Sequence, residues 1–269
     1  LGALKYFGQA DLGNVNAPDM VYLTVPWLGL IAYAQGWVLP LSGALLFLFG
    51  LCILSARRAG ARLGATAAGL GVSVLAGVVT FSSAAALLAW LPRFHAELGA
   101  LRAATYHSEG WYVLALVFGA LSIVTALTTV AGRWLSGVEL ALGALILPLA
   151  GAIILSFAAP LAAMNLQWPV LAALLGVTGL ALLGPRSEGM AGWIAAVVLA
   201  VPVLVILVPI TELVWIAMSI QVAGILSVLT VVLLLLCLPA LAALNHPNGW
   251  WAPMTGLVLA GAALGIGVV

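Results

Sequence analysis

Long apolar runs, separated by short polar or Pro/Gly-rich breaks, organise the chain from Trp37 onward. The runs are too long and too uniformly apolar for strands that alternate between two environments, so they predict helices. Eight can be separated: 37–55, 64–91, 111–130, 138–159, a short one at 169–183, 190–208, 222–244 and 250–269. Arg57, Arg58 and Arg62 end the first, and the "LPRF" turn ends the second. After Pro209, "ITELVWIAMSIQ" reads either as an interfacial turn or as the lead-in to the seventh helix. Pro148, Pro202 and Pro239 fall inside helices and predict local kinks there. Residues 1–36 are mixed in character and read as a connector. The stretch 93–104 reads as a short surface helix, with Leu98 and Leu101 turned toward apolar surroundings.

Composition then decides the solvent. Hydrophobic residues make up 65% of the 269 and charged residues 6%, against roughly 45–50% and about 25% in water-soluble domains. A bilayer, which a helix of ~20 apolar residues crosses, is the environment that suits such a chain. The expectation is an all-α polytopic membrane protein: a bundle of about eight transmembrane helices over 37–269, preceded by an outward-facing connector at 1–36 and carrying a short outward surface helix. The connector is read as leaving an N-terminal domain that lies ahead of residue 1. A net charge of +1 provides neither a nucleic-acid surface nor a polybasic lipid clamp. Cys52 and Cys237 lie within apolar runs and read as soft buried residues rather than as a disulfide or metal ligands.

Orientation follows from basic residues in alternate loops. Arg57, Arg58, Arg62, Arg133 and Arg186 fall on one side; Lys5, Arg93 and Arg102 fall on the other. The tight arginine cluster after the first helix places its side in the cytoplasm, so the connector and the 92–110 loop face outward. Trp37, Trp90, Trp111, Trp134, Trp168, Trp193, Trp250 and Trp251 sit near expected helix ends, where an amphipathic ring anchors at the headgroups. Gly69, Ser73 and Gly77 recur every four residues, as do Gly261 and Gly265. Such spacing lets two helix backbones approach, within the chain or, in a homo-oligomer, between copies.

A search for chemistry finds little inside the lipid. No expected span carries a central acid, base or histidine, the usual mark of a proton or ion path. Glu139 and Glu212 read as interfacial or solvated carboxylates. The polar loop "RFHAELGALRAATYHSEGW" (93–111) pairs His95 with Glu97 and His107 with Glu109. Zinc needs about three or four ligands held tetrahedrally, and residues two apart on a helix face different ways, so the loop reads as hydrated rather than metal-binding. His246 reads as a structural turn residue. No nucleophile elbow, phosphate loop or CxxC appears. Catalytic, cofactor and metal residues are therefore expected to number none in this chain.

The order and texture of the segments nevertheless resemble a known family. "MVYLTVPWLGLIAYA" is similar to the element that leaves the peptidase domain in membrane-bound zinc aminopeptidases of the twenty-eighth metallopeptidase family, of the Fxna or endoplasmic-reticulum-metallopeptidase type and their bacterial relatives. "FHAELGALRAATYHSEGWYVLAL" resembles their segment between the second and third spans. "GRWLSGVELALGALILPLAGAIILSFAAPLAAMNLQWPVLAALLG" resembles the following pair. The resemblance implies the membrane domain of such an enzyme in a bacterial inner membrane. It also implies a zinc-dependent, aminopeptidase-like hydrolase domain outside the membrane, which would hold the zinc and act on peptide substrates. None of that domain's ligand motifs is in this sequence. The alternatives are a small-molecule or lipid transporter and a structural subunit of a membrane complex. Transport would need a water-accessible midplane cavity lined by such residues as Ser82, Ser83, Thr125, Thr128 or Thr129.

Overall fold

A computed structural model describes residues 19–25, 29–93, 109–183, 190–218, 223–238 and 251–268. A two-stranded antiparallel hairpin comes first, β1 (Met20–Val25) against β2 (Gly29–Ala34). Among the described residues eight helices follow: α1 (Val38–Arg58), α2 (Leu63–Trp90), α3 (Glu109–Ala131), α4 (Gly137–Ala158), α5 (Pro160–Leu183), α6 (Met190–Met218), α7 (Ala223–Leu236) and α8 (Trp251–Val268). The chain is an all-α polytopic membrane bundle, and among the described residues six of its helices are long and apolar enough to cross a bilayer.

Helix α4 is the hub. It packs against α1, α2, α5 and α7, and Leu142, Ala144, Leu145 and Ala152 are all but fully buried on it. Leu147, Ile154 and Phe157 stay exposed along one side of its second half, so α4 keeps a narrow apolar stripe toward lipid while small and branched apolar residues fill the faces its neighbours cover. On one flank α5 carries α1 and α6; on the other, α2 and α7 carry α3, against which α8 lies. The α2–α4 crossing is made by glycines. A Cβ on Gly69 would stand 2.8 Å from the Glu139 carbonyl oxygen, and one on Gly143 would stand 2.5 Å from the backbone of Gly69 and Leu70. The two helices touch main chain to main chain.

The small-residue stripe expected on α2 is thus present, but it runs through Gly69, Ser73, Ala76, Thr80 and Ala84, all buried, and leaves Gly77 facing open space. On α8 the expected glycine pair makes no contact within the chain among the described residues. Gly261 and Gly265 meet nothing, whereas Gly256 abuts Phe118 and Ser122 of α3, with Ala260 and Ala263 buried beside it. A period of four gives spacing but not the rotation of the helix, and the neighbour sets the rotation.

Two helix limits also differ from expectation. The fifth helix begins at Pro160 rather than 169, and the sixth runs through Pro209 to Met218. A proline removes one backbone donor, whereas ending a helix in lipid strands several donors and acceptors, so continuing costs less. Consequently Trp168 lies inside α5 rather than at its end, and Glu212 and Trp215 lie on α6. Pro148 and Pro202 sit within helices as expected, while Pro239 lies outside the described residues. The 93–104 surface helix falls almost wholly outside them too; Leu91–Arg93 forms a single 3-10 turn.

Within the stretch read as a connector, Met20–Val25 and Gly29–Ala34 pair as strands. Met20 faces Ala34 and Val25 faces Gly29. Gly29 has φ +87°, a conformation that costs a glycine little as the chain turns into β2. The hairpin's base is closed by Gln35 N–H donating to the Asp19 carbonyl at 2.9 Å.

At the end of the bundle away from the hairpin, Arg62 meets the α3–α4 turn, so the arginines at 57, 58, 62 and 133 share one end. Trp37, Trp90, Trp111 and Trp134 are exposed at helix ends, as headgroup anchors would be.

Candidate functional site

Beneath the hairpin lies a closed network of neutral polar groups. Gln167, in the third turn of α5, is about 10 Å along the axis from Pro160. It is only 3% exposed. Its Oε1 accepts from the Tyr33 hydroxyl of β2 at 3.4 Å. Its Nε2 donates to the Val38 carbonyl at 2.8 Å and to Ser42 Oγ at 2.9 Å, both on α1, with Ser156 Oγ of α4 at 3.2 Å. Ser42 and Ser156 share a 2.7 Å hydrogen bond. Because Ser156 also donates to the Ala152 carbonyl at 2.7 Å, the Ser42 proton is the one between them. Donors and acceptors therefore match around the ring, which a polar group inside lipid requires.

Apolar packing sets the network in place. Val21, Val38, Ala163, Met164 and Ile206 form a buried cluster joining the hairpin to α1, α5 and α6, with Trp168 and Tyr33 against it. Burial holds the Tyr33 phenol above its ordinary pKa, so it stays a donor through the neutral range. The network offers its hydroxyls no carboxylate, imidazole or cation as a partner to activate them. Its chemistry is mechanical: it fixes the strand pair to three helices at once.

This predicts a specific pattern. Gln167→Leu removes the acceptor of the Tyr33 hydroxyl and the amide donor to the Val38 carbonyl and Ser42 Oγ, leaving Ser42 only its bond to Ser156, and should cost about 1–3 kcal/mol. Tyr33→Phe removes only one long bond and should cost less than about 1 kcal/mol. Limited proteolysis of the hairpin is the check; equal cleavage of both variants and the parent would refute the coupling.

At the opposite end Glu139 stands in the first turn of α4, at the helix end as expected of an interfacial acid, but it is 3% exposed rather than solvated. Ser136 caps α4 with Glu139 in a reciprocal capping box: Ser136 N–H donates to Oε2 at 2.8 Å, and Glu139 N–H donates to Ser136 Oγ at 3.3 Å. The other oxygen accepts the Arg62 backbone N–H at 2.8 Å and its Nε at 3.4 Å. Arg62 in turn donates to the Trp134 carbonyl at 3.2 Å. The chain brings Arg62 to Glu139 because the short α1–α2 and α3–α4 turns meet where Gly69 and Gly143 hold their helices together.

His95, Glu97, His107 and His246 lie outside the described residues, and Glu109 opens α3. Glu212 is exposed on α6. Among the described residues no three His, Cys, Asp or Glu side chains gather as a metal site would need. Cys52 and Cys237 are free and buried, as expected, Cys52 lying 2.7 Å from Thr178 Oγ1. Thr125 and Thr128 donate to carbonyls of their own helix, and Ser83 to Val79 O, so these hydroxyls are spent locally. Of the residues proposed to line a transport cavity, Ser83 alone borders the cleft between α2, α3 and α8.

Gln167 was missed from sequence because one amide in an apolar helix carries no pattern. Its signal was the pair of serines one helix away on either side, visible only once α1, α4 and α5 are together. No protein-family model, curated protein or solved structure matches the chain.

Proposed function

We propose that this chain is the membrane-embedded part of a zinc-dependent, aminopeptidase-like enzyme, holding an extracytoplasmic peptidase domain joined ahead of residue 1. The peptidase in this reading comes from the segment resemblance. The observation that supports it is the clamped hairpin: Tyr33 and Val21 tie the chain's entry to α1 and α5 at the end opposite the arginine cluster. Arginine-rich ends favour the cytoplasm, so the hairpin end faces outward in a bacterial inner membrane. A stiff lead-in holds an attached domain close to the lipid surface, whereas a loose linker would let it wander. The absence of acids and bases from the middles of the described spans agrees with a membrane part that anchors rather than conducts.

The test is the product of the natural gene, purified from membranes. It is expected to contain zinc, to release amino acids from aminoacyl-anilide or short peptide substrates, and to lose that activity to a chelator and regain it with zinc. A metal-free product without peptidase activity overturns the proposal. A second reading, transport of a lipid or small molecule, draws on the α2–α3–α8 cleft and predicts flux across proteoliposomes without any hydrolysis.

A further inference from the structure

A cleft of about 350 Å³ opens between α2, α3 and α8. Its walls are almost wholly apolar, with Leu87, Leu116, Ile123 and Leu264 among them. Thr80 and Trp90 mark its two ends on α2, ten residues and therefore about 15 Å apart. That is half the ~30 Å hydrocarbon core, the depth of one leaflet. Trp90, exposed at the last residue of α2, belongs at headgroup level. The Arg93 guanidinium stacks over its ring at 5.8 Å, so a cation stands at the mouth of an apolar shaft one leaflet deep. On the floor Gly119 leaves open space, with no atom within 4 Å of where a Cβ would stand.

We propose that this cleft binds one anionic phospholipid of the leaflet on the Trp90 side, one of its two acyl chains lying from Trp90 toward Thr80 and its phosphate on Arg93. Length and charge both select this occupant. A chain one leaflet long fills the shaft, and a guanidinium matches phosphate oxygens with paired donors that a zwitterionic headgroup engages less strongly. The competing occupant is a neutral lipid bearing a carbonyl, because the Thr80 hydroxyl is buried at the inner end without a hydrogen-bond partner. This inference does not depend on the peptidase reading.

Native mass spectrometry of the purified chain, stripped in mild detergent and titrated with phosphatidylglycerol or phosphatidylcholine, decides between them. The parent is expected to retain one phosphatidylglycerol with about fivefold preference, the worth of one cation at a lipid surface. Gly119→Phe fills the shaft and is expected to release lipid of both kinds; Gly119→Leu serves the same purpose with less bulk, should the larger ring upset folding by circular dichroism. Arg93→Gln is expected to keep lipid but level the preference. Equal retention by the parent and both glycine variants overturns the site. Preference unchanged in Arg93→Gln, or retention lost in Thr80→Val alone, overturns the phospholipid and points to the carbonyl-bearing one.

Discussion

Gly143→Leu is expected to prevent the bundle from assembling, and Gly143→Ala to cost about 2–3 kcal/mol, near the upper range of overpacking penalties. The reason is the neighbour's rigidity. A Cβ at 143 would lie 2.5–2.6 Å from Gly69 C, Leu70 N and Thr66 O, and all three are main chain of α2, with no rotamer to give way. Helix α4 would have to withdraw from α2, and its buried Leu142 and Leu145 would lose contacts on every side. The control lies on the same fold. Gly77 and Gly261 meet open space, so an alanine at either should be neutral or stabilise by up to about 1 kcal/mol through helix propensity. Thermal unfolding in detergent, followed by circular dichroism, reads all four variants. Gly143→Ala melting with the parent would refute the close crossing.

Glu139→Ala is expected to cost about 2–4 kcal/mol, far more than Arg62→Ala. The ion pair itself contributes little: Nε lies 3.4 Å from the carboxylate, and the Arg62 side chain is 71% exposed. Exposed pairs of this kind contribute about 0–1 kcal/mol. The carboxylate's other bonds matter more. It accepts the backbone N–H groups of Arg62 and Ser136, both at 2.8 Å, and completes the capping box at the start of the hub helix. Removing it strands those two donors and loosens the cap. Arg62→Ala keeps its own backbone N–H on the carboxylate and should lose less than about 1 kcal/mol. Glu139→Gln, which retains an acceptor oxygen, should fall between them. If the two alanine variants lost equal stability, the ion pair rather than the backbone clasp would be holding the turns together.

These two sites show where sequence reading reached and where it stopped. Gly69 stood out through its four-residue spacing with Ser73 and Gly77, but its partner Gly143 lies in a helix where glycine and alanine recur without marked period. Glu139 was visible as a lone acid at a helix start, yet its burial depends on a turn 77 positions away folding over it. The strand pair inside the connector went unread although "MVYLTV" and "GLIAYA" have strand character. Their alternation is short, and what holds the pair to the bundle, the Val21 cluster and the Tyr33–Gln167 bond, lies in helices far along the chain.

The sequence by itself determined the solvent, the helical class, the approximate span limits and the ends at which arginine and tryptophan gather. Each of these follows from the transfer of single side chains or runs of them between water and lipid, which needs no knowledge of neighbours. The tertiary structure decided which face of each helix turns inward, which two glycines meet, how prolines are absorbed within continuous helices and which polar atoms find one another. Inside a bilayer apolar side chains gain nothing from leaving lipid for protein, so helix pairing rests on close fit and matched hydrogen bonds. Those are properties of two surfaces brought together, and no single segment carries them.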